Sequence, residues 1–328
     1  MRKLINHPSN AAIESLEGFE LAYRQLLRVH YSPNFIYRKD APVRNKVALV
    51  SGSGSGHEPL NSGYVGKGML DACCPGAIFT SPTPIQYLAA TKAVHGGAGV
   101  LYVVKNYMGG VLNTDMALEL AAEEGIAVAS VLVHDDVAVD RDLNRRGTGA
   151  TVFVEKIAGA AAEQGRSLPE VTAVAKRASE ATRSMGVALT SCTSPSVGHP
   201  TFQLPEGQIE FGVGIHGEPG RRRALMAKSD EIVDMMLAPI MHDLRLRAHD
   251  RVLVLVSGLG GTPQHELYIV YRHLHHLLER HSIKVERQLV GNYITSLDMA
   301  GCMVSILRLD EELLTLWDAP VCTPTLSW

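Results

Sequence analysis

The chain has no excess of either charge: Lys and Arg number 31 against 34 Asp and Glu, for a formal net charge of -3. Binding to phosphate backbones calls for a net basic surface or a clustered stripe of Lys and Arg, so nucleic acid is excluded as a direct partner. The one basic run, Arg221-Arg222-Arg223 after Gly220, reads as a solvated turn, with contact to an acidic partner or a phosphate as the alternative. Long apolar runs are also missing. No stretch approaches the roughly eighteen residues of a membrane span, and Met1 to Phe19 carries Asn6, His7, Glu14 and Glu17 where a signal peptide needs an uninterrupted apolar stretch. The cysteines number five, with Cys73 and Cys74 adjacent rather than spaced as a metal-binding pair. Reduced thiols in a cytoplasmic protein are the expectation, with no metal site.

What is present is ordinary globular composition, 46% apolar and 20% charged, over 328 residues. That length exceeds what a single core serves efficiently, so two compact domains are expected. Val- and Ile-rich runs ending in Gly-rich or acidic loops alternate with stretches of helical period, the pattern of an α/β fold. Strands are predicted at Lys46 to Val50, Gly99 to Val104, Ile126 to Val133, Val187 to Thr190, Glu210 to Ile215, Arg251 to Val256, Lys284 to Val290 and Met303 to Arg308. Helices are predicted over Thr114 to Glu124, capped by Asn113 or Thr114, and over Thr151 to Gln164, Leu168 to Met185 and Ser229 to Leu246. Ser, Thr, Pro and Gly crowd between Gly186 and Leu204, which places the expected boundary between domains 1–185 and 186–328.

Three stretches carry chemistry. Ser51-Gly52-Ser53-Gly54-Ser55-Gly56-His57-Glu58-Pro59 follows a strand, where glycines can bring backbone N–H groups against a small polar ligand. It has neither the G-x-G-x-x-G spacing of a dinucleotide fingerprint nor the Gly-Lys-Ser/Thr ending of a P-loop, so no ATP site is assigned to it. Gly-Ser composition also suits a flexible connection, but the carboxyl end of a buried strand is where open α/β sheets bind ligands, and His57 would face that crevice. In Gly212-Val213-Gly214-Ile215-His216-Gly217-Glu218-Pro219-Gly220, a strand feeds an imidazole flanked by glycine into a sharp turn. His216 is either a packed ring or a reactive one. Lys105, in Lys105-Asn106-Tyr107-Met108-Gly109-Gly110, ends another apolar strand and either orients a substrate oxygen or lies on the surface. A fourth grouping, His134-Asp135-Asp136 with Asp140, has the residue types of a magnesium site, but consecutive extended residues point apart, and a solvated acidic loop is expected.

With these stretches assembled, the sequence resembles the dihydroxyacetone kinase family, in its K-subunit type, over nearly its whole length. The marks are Ser51 to Pro59, Phe79-Thr80-Ser81-Pro82-Thr83-Pro84, Lys105-Asn106-Tyr107, Asp135-Asp136-Val137-Ala138-Val139, Glu210 to Gly220, Thr295-Ser296-Leu297-Asp298-Met299 and Leu316-Trp317-Asp318-Ala319-Pro320. The resemblance implies two α/β domains, and a hemiaminal between an imidazole nitrogen of His216 and the carbonyl carbon of a short-chain ketone. It sets Gly54, Ser55, Gly56, His57 and Lys105 around the bound hydroxyls, with His57 in hydrogen bonding and proton transfer. No nucleotide is implied on this chain. ADP and magnesium are implied on a separate L-type subunit, expected on another polypeptide because the chain stops at Trp328. A homodimer is implied as well.

One position departs from the family pattern. Family kinases carry an aspartate after Lys-Asn-Tyr-x-Gly that accepts the proton of the hydroxyl being phosphorylated, and this chain has Gly110 there. Loss of general-base catalysis is worth about 10²- to 10⁴-fold. The departure leaves two readings: a working kinase subunit, or a catalytically silent paralogue that binds the ketone and engages a transcriptional regulator. Asp115, or a water in the space left at Gly110, is the candidate substitute base.

Overall fold

The computed structural model describes residues 2–140 and 144–328. It has the expected α/β architecture, built on two six-stranded mixed sheets. The first contains β1 (Leu27–Tyr31), β2 (Asn34–Arg38), β3 (Ala48–Ser55), β4 (Ala72–Ile78), β5 (Val100–Lys105) and β6 (Val128–Val133), in the order β1-β2-β4-β3-β5-β6. From β4 to β6 the strands run parallel, and β1 and β2 form an antiparallel ribbon on the β4 edge. Because β4 lies on one side of β3 and β5 on the other, the chain switches direction across the sheet at β3. A crevice opens at such a point outside the strands' carboxyl ends.

The second sheet contains β7 (Thr182–Ala188), β8 (Gln208–Phe211), β9 (Arg222–Leu225), β10 (Arg251–Gly258), β11 (Lys284–Gly291) and β12 (Gly301–Leu309), in the order β11-β10-β12-β7-β8-β9. Its helices include α6 (Ser229–Leu244) and α7 (Gln264–Arg280). Between the sheets runs α4 (Ala150–Glu163), in contact with β3, β5 and β6 on one side and with β7 and β12 on the other. Its residues are buried from Ala150 to Ala162, and five of them are alanines or a glycine in the run Ala158-Gly159-Ala160-Ala161-Ala162. A Cβ on Gly159 would stand 2.5 Å from the Met69 Cα, so small residues here let the helix sink between two layers. The resulting apolar core is continuous from Leu49 and Leu101 of the first sheet, through Phe153 and Ile157, to Leu253 and Leu307 of the second.

Several expectations are corrected. The helix predicted to Met185 is α5 (Leu168–Glu180), and Thr182 to Met185 belong to β7. These residues pair with β12 in the middle of the second sheet, so tertiary pairing overrides the helical reading. Gly186, the expected boundary, lies inside β7. Helix α3 (Met108–Glu123) starts well before Thr114, which is not a cap but donates its hydroxyl to the Gly110 carbonyl at 2.9 Å. The predicted strand over Glu210 to Ile215 ends at Phe211, because Gly212 turns to φ +79 with its α-carbon packed against Ala138. Arg222 and Arg223, expected in a turn, form the exposed edge strand β9.

The acidic stretch is not a solvated loop. Asp135 and Asp136 are both buried. Asp135 accepts from Thr148 N (2.7 Å), Thr148 Oγ1 (2.8 Å), Ala150 N (3.0 Å) and Ser184 Oγ, which closes the N-terminus of α4. Asp136 pairs with Arg146 at 2.8 Å. Asp140 alone of the group is exposed. Among the described residues no helix is long and apolar enough to cross a membrane. All five cysteines are free thiols.

Candidate active site around two histidines

The serine-glycine stretch is mostly strand rather than loop. Strand β3 continues to Ser55, pairing with β4 as far as Ser55 opposite Ile78, and the Ser55 hydroxyl donates to the Gly76 carbonyl at 2.7 Å. A Cβ on Gly54 would lie 2.7 Å from the Phe79 backbone, so only glycine lets the segment after β4 fold this close. The Gly56 N–H is not bare either. It donates to the Glu58 carboxylate at 2.9 Å. What this packing delivers is Phe79, stacked on His57 with ring centroids 5.0 Å apart.

His57 is fully buried. Its Nδ1 lies 2.8 Å from the Thr295 carbonyl, which can only accept, so Nδ1 carries the proton and Nε2 presents a lone pair. Nε2 has no partner among the described residues. Burial first, then the neighbouring charges of His216 and Lys105, hold the His57 pKa well below its ordinary value, so the ring is neutral at physiological pH. Thr295 N also donates to the His57 carbonyl (3.2 Å) and Leu297 N to the Gly56 carbonyl (2.8 Å). The segment after β11 thus clamps the end of β3.

His216 reaches the same spot from the turn after β8. Its ring meets His57 edge-on at 4.6 Å, Tyr107 at 4.7 Å and Phe79 at 5.2 Å. Nδ1 lies 2.7 Å from Glu218 Oε1, and the His216 N–H donates to Glu218 Oε2 at 3.0 Å. The carboxylate fixes Nδ1 as the protonated nitrogen and leaves Nε2 nucleophilic. The hydrogen bond and charge of His216 outweigh desolvation and hold the Glu218 pKa down to about 2, so the acceptor stays ionised throughout the working range. The His216 side chain keeps 22% of its surface while His57 is closed off, so an entering ligand meets His216 first. Arg146, gripped by Asp136, donates to the Gly212 carbonyl at 2.6 Å and to the Pro219 carbonyl at 3.4 Å, which ties both ends of the turn.

Lys105, at the end of β5, is buried and not a surface residue. Its Nζ donates to the Gly52 carbonyl at 3.3 Å, beneath the same cluster. Gly110 stands in the first turn of α3. A Cβ there would lie 3.6 Å from the Lys105 carbonyl and 3.8 Å from Ser81 Oγ, ordinary contacts that leave room for a longer side chain. Asp115 is exposed and five residues along α3, about 140° round the helix from Gly110, so it does not fill that space.

The structure therefore brings His57, His216, Lys105 and Gly54 together, whereas Ser55 and the Gly56 N–H are spent on internal bonds. Sequence reasoning missed Glu218, Tyr107, Phe79, Arg146 and Thr295 as parts of the site. Glu218, two residues beyond a glycine-flanked histidine in a sharp turn, was the most legible of them. Thr295 contributes a backbone carbonyl, for which no side-chain signal exists. Among the described residues the one grouping of three metal-capable side chains is His275, His276 and Glu279 on the surface of α7, where each ring Nδ1 stands 3.4 Å from Glu279 Oε2, as ion pairs one turn apart do.

The Dak1 domain family model matches residues 17–325. The dihydroxyacetone-binding subunit DhaK of the PEP-dependent dihydroxyacetone kinase of Escherichia coli is 43% identical over 355 residues, covering 100% of this chain and 99% of that protein. The crystal structure of the dihydroxyacetone kinase of C. freundii superposes with a TM-score of 0.93 at 33% identity, covering 99% of this chain and 60% of that one. A dihydroxyacetone kinase operon co-activator superposes with a TM-score of 0.88 at 32% identity, covering 95% of this chain and 96% of that one. The chain belongs to the dihydroxyacetone kinase family, in its Dak1-domain, K-subunit branch.

Proposed function

We propose that this protein binds dihydroxyacetone or a similar short-chain ketone as a hemiaminal on His216, and presents it for phosphoryl transfer from a separate L-type subunit carrying ADP and magnesium. The observation that carries the reading is the orientation of the two imidazoles: each has Nδ1 committed to an acceptor, and the rings meet 4.6 Å apart. His216 Nε2 forms the new bond to the carbonyl carbon. The π pair of the C=O bond moves onto oxygen, which takes up a proton from water, while the Nδ1 proton of the resulting imidazolium leaves along the hydrogen bond to Glu218 and passes on to solvent, so that the ring ends neutral and Glu218 ionised. Neutral His57 accepts a hydrogen bond from a substrate hydroxyl at Nε2, and Lys105 faces the substrate oxygens. Glycerol matches the ketone in size but has no carbonyl carbon, so it forgoes the covalent bond. The protein acts in the cytoplasm as a homodimer in this reading.

A second reading, a ketone sensor that engages a transcriptional regulator, is favoured by one observation: among the described residues, the atoms within 4 Å of a Cβ at Gly110 are the Lys105 carbonyl and Ser81 Oγ, and neither is a carboxylate. Both readings require the ketone. Titration calorimetry with dihydroxyacetone and glycerol tests that shared requirement. Heat from the ketone alone is the expected result, together with a carbonyl-labelled ketone whose ¹³C signal moves from the carbonyl to the tetrahedral region. Absence of both would overturn the hemiaminal.

A further inference from the structure

Buried acids in this protein are well partnered, with one exception. Asp71 is held by Lys46 (2.6 Å), Arg38 (3.1 Å) and the Leu49 N–H (2.8 Å), and Asp135 by the donors at the start of α4. Glu155, in the middle of α4, is fully buried and has no well-formed hydrogen bond to either carboxylate oxygen among the described residues; the neighbouring Ser51 hydroxyl gives its proton to the Val103 carbonyl at 2.9 Å. A desolvated carboxylate without donors is costly, so it persists only where something else compensates it. It is no cap and ties down no loop. Its neighbour Lys156 turns the other way, donating to the Leu316 carbonyl at 2.8 Å and lying over the Trp328 ring, since adjacent residues on a helix do not face each other.

The ionisable groups in electrostatic reach of Glu155 are Lys105 on β5, Cys73 on β4, Tyr64 before β4 and Tyr87 on the helix after it. Burial pushes the thiol and both phenols well above their ordinary values, so they stay neutral. Lys105 is the cation left among them. On its side Lys105 faces Glu155, Cys73 and the neutral His57, and the Gly52 carbonyl is its hydrogen-bond acceptor.

We propose that Glu155 is a positioning residue for the ketone pocket: from the buried face of the helix packed on β5 it acts as the charge partner of Lys105 at the end of that strand, so that Lys105 meets the substrate oxygens as an ammonium. The inference rests on the pocket proposed above. Desolvation pulls Lys105 down and Glu155 up, and each opposes that shift in the other. With the carboxylate gone, burial alone would act on Lys105, and the amine would lose its proton at lower pH.

The test is Glu155→Gln, which keeps the volume and removes the charge. The Cε signal of Lys105 in lysine-labelled protein, assigned by its disappearance in Lys105→Met, is followed against pH in the wild type and in E155Q. The expected result is a midpoint at least one pH unit lower in E155Q, roughly a tenfold larger neutral fraction at a given pH, with ketone affinity declining at the same lower pH. An unmoved midpoint would overturn the pairing. If the wild type binds no ketone at any pH, the pocket reading fails while the Lys105 titration still decides the pairing. Should E155Q not fold, Lys105→Met asks the question from the other side. A carboxyl whose folded pKa lies above its unfolded value loses stability as pH rises, so the melting temperature of K105M should fall further below wild type from roughly pH 6 to roughly pH 9; parallel curves would overturn the proposal.

Discussion

Replacing His216 with alanine abolishes tight ketone binding: we expect the dissociation constant to rise at least about a thousandfold, or about 4 kcal/mol. The variant removes the nitrogen proposed to form the covalent bond, and leaves His57 and Lys105 to supply hydrogen bonds that water supplies nearly as well. The fold should tolerate the change. His216 stands on a turn held by Arg146 through the Gly212 and Pro219 carbonyls and by the Gly217 N–H to the Gly214 carbonyl, none of which involves its ring. Its loss should cost about 1 kcal/mol of stability or less. Calorimetry on H216A with an accompanying thermal melt checks both parts. Unchanged affinity in a folded variant removes the covalent reading.

Gly110→Asp is expected to raise the phosphorylation rate about 10²- to 10⁴-fold when an ADP-loaded L-type partner is supplied. The position takes a Cβ in ordinary contact, since the nearest atoms to it are the Lys105 carbonyl at 3.6 Å and Ser81 Oγ at 3.8 Å. It also lies in the first turn of α3, which has no acidic residue of its own there. A carboxylate at a helix N-terminus and the replacement of a helical glycine both stabilise, together by about 1 kcal/mol. G110D should therefore melt no lower than the wild type, so a gain in rate is not masked by unfolding. A flat rate would mean that the missing base does not limit the protein, and a flat rate with ketone binding retained would favour the sensor reading.

The two histidines that meet in the candidate site were legible because each sits in a context that hydrophobic pattern alone cannot explain: an imidazole after a buried strand, crowded by glycine. The strands β5, β10 and β12 were legible as near-continuous apolar runs, as strands buried on both faces are, whereas β6 and β11 are only partly buried. The ribbon of β1 and β2 was missed because Leu27–Tyr31 is mostly exposed and carries Arg28 and His30 among its apolar residues. Thr182 to Met185 were misread because nothing local separates them from α5. Their identity as a central strand comes from β12, more than a hundred residues away. Asp135 and Asp136 looked solvated because acidic pairs usually are, and their partners Thr148, Ser184 and Arg146 lie beyond the reach of a local reading. Lys105 failed in the same way: burial of a lysine depends on what covers it, and α4 covers it.

The helix that both sheets share sets how a ligand gets in. Proteins that trap small molecules between two lobes do so by swinging the lobes on a hinge, which requires a seam with little apolar surface across it. Among the described residues no such seam exists, since one apolar core runs through both sheets and α4. Parting the sheets would strip water-excluded surface from both flanks of α4 at once, and with it the ground on which Lys105 and Glu155 stand. The pocket is therefore rigid along the strands, and passage falls to the segments that cap it, Phe79 to Pro84 and the turn bearing His216. Substitutions in those two segments away from Phe79, His216 and Glu218 are where rates of entry and release will change without changes in the strength of binding.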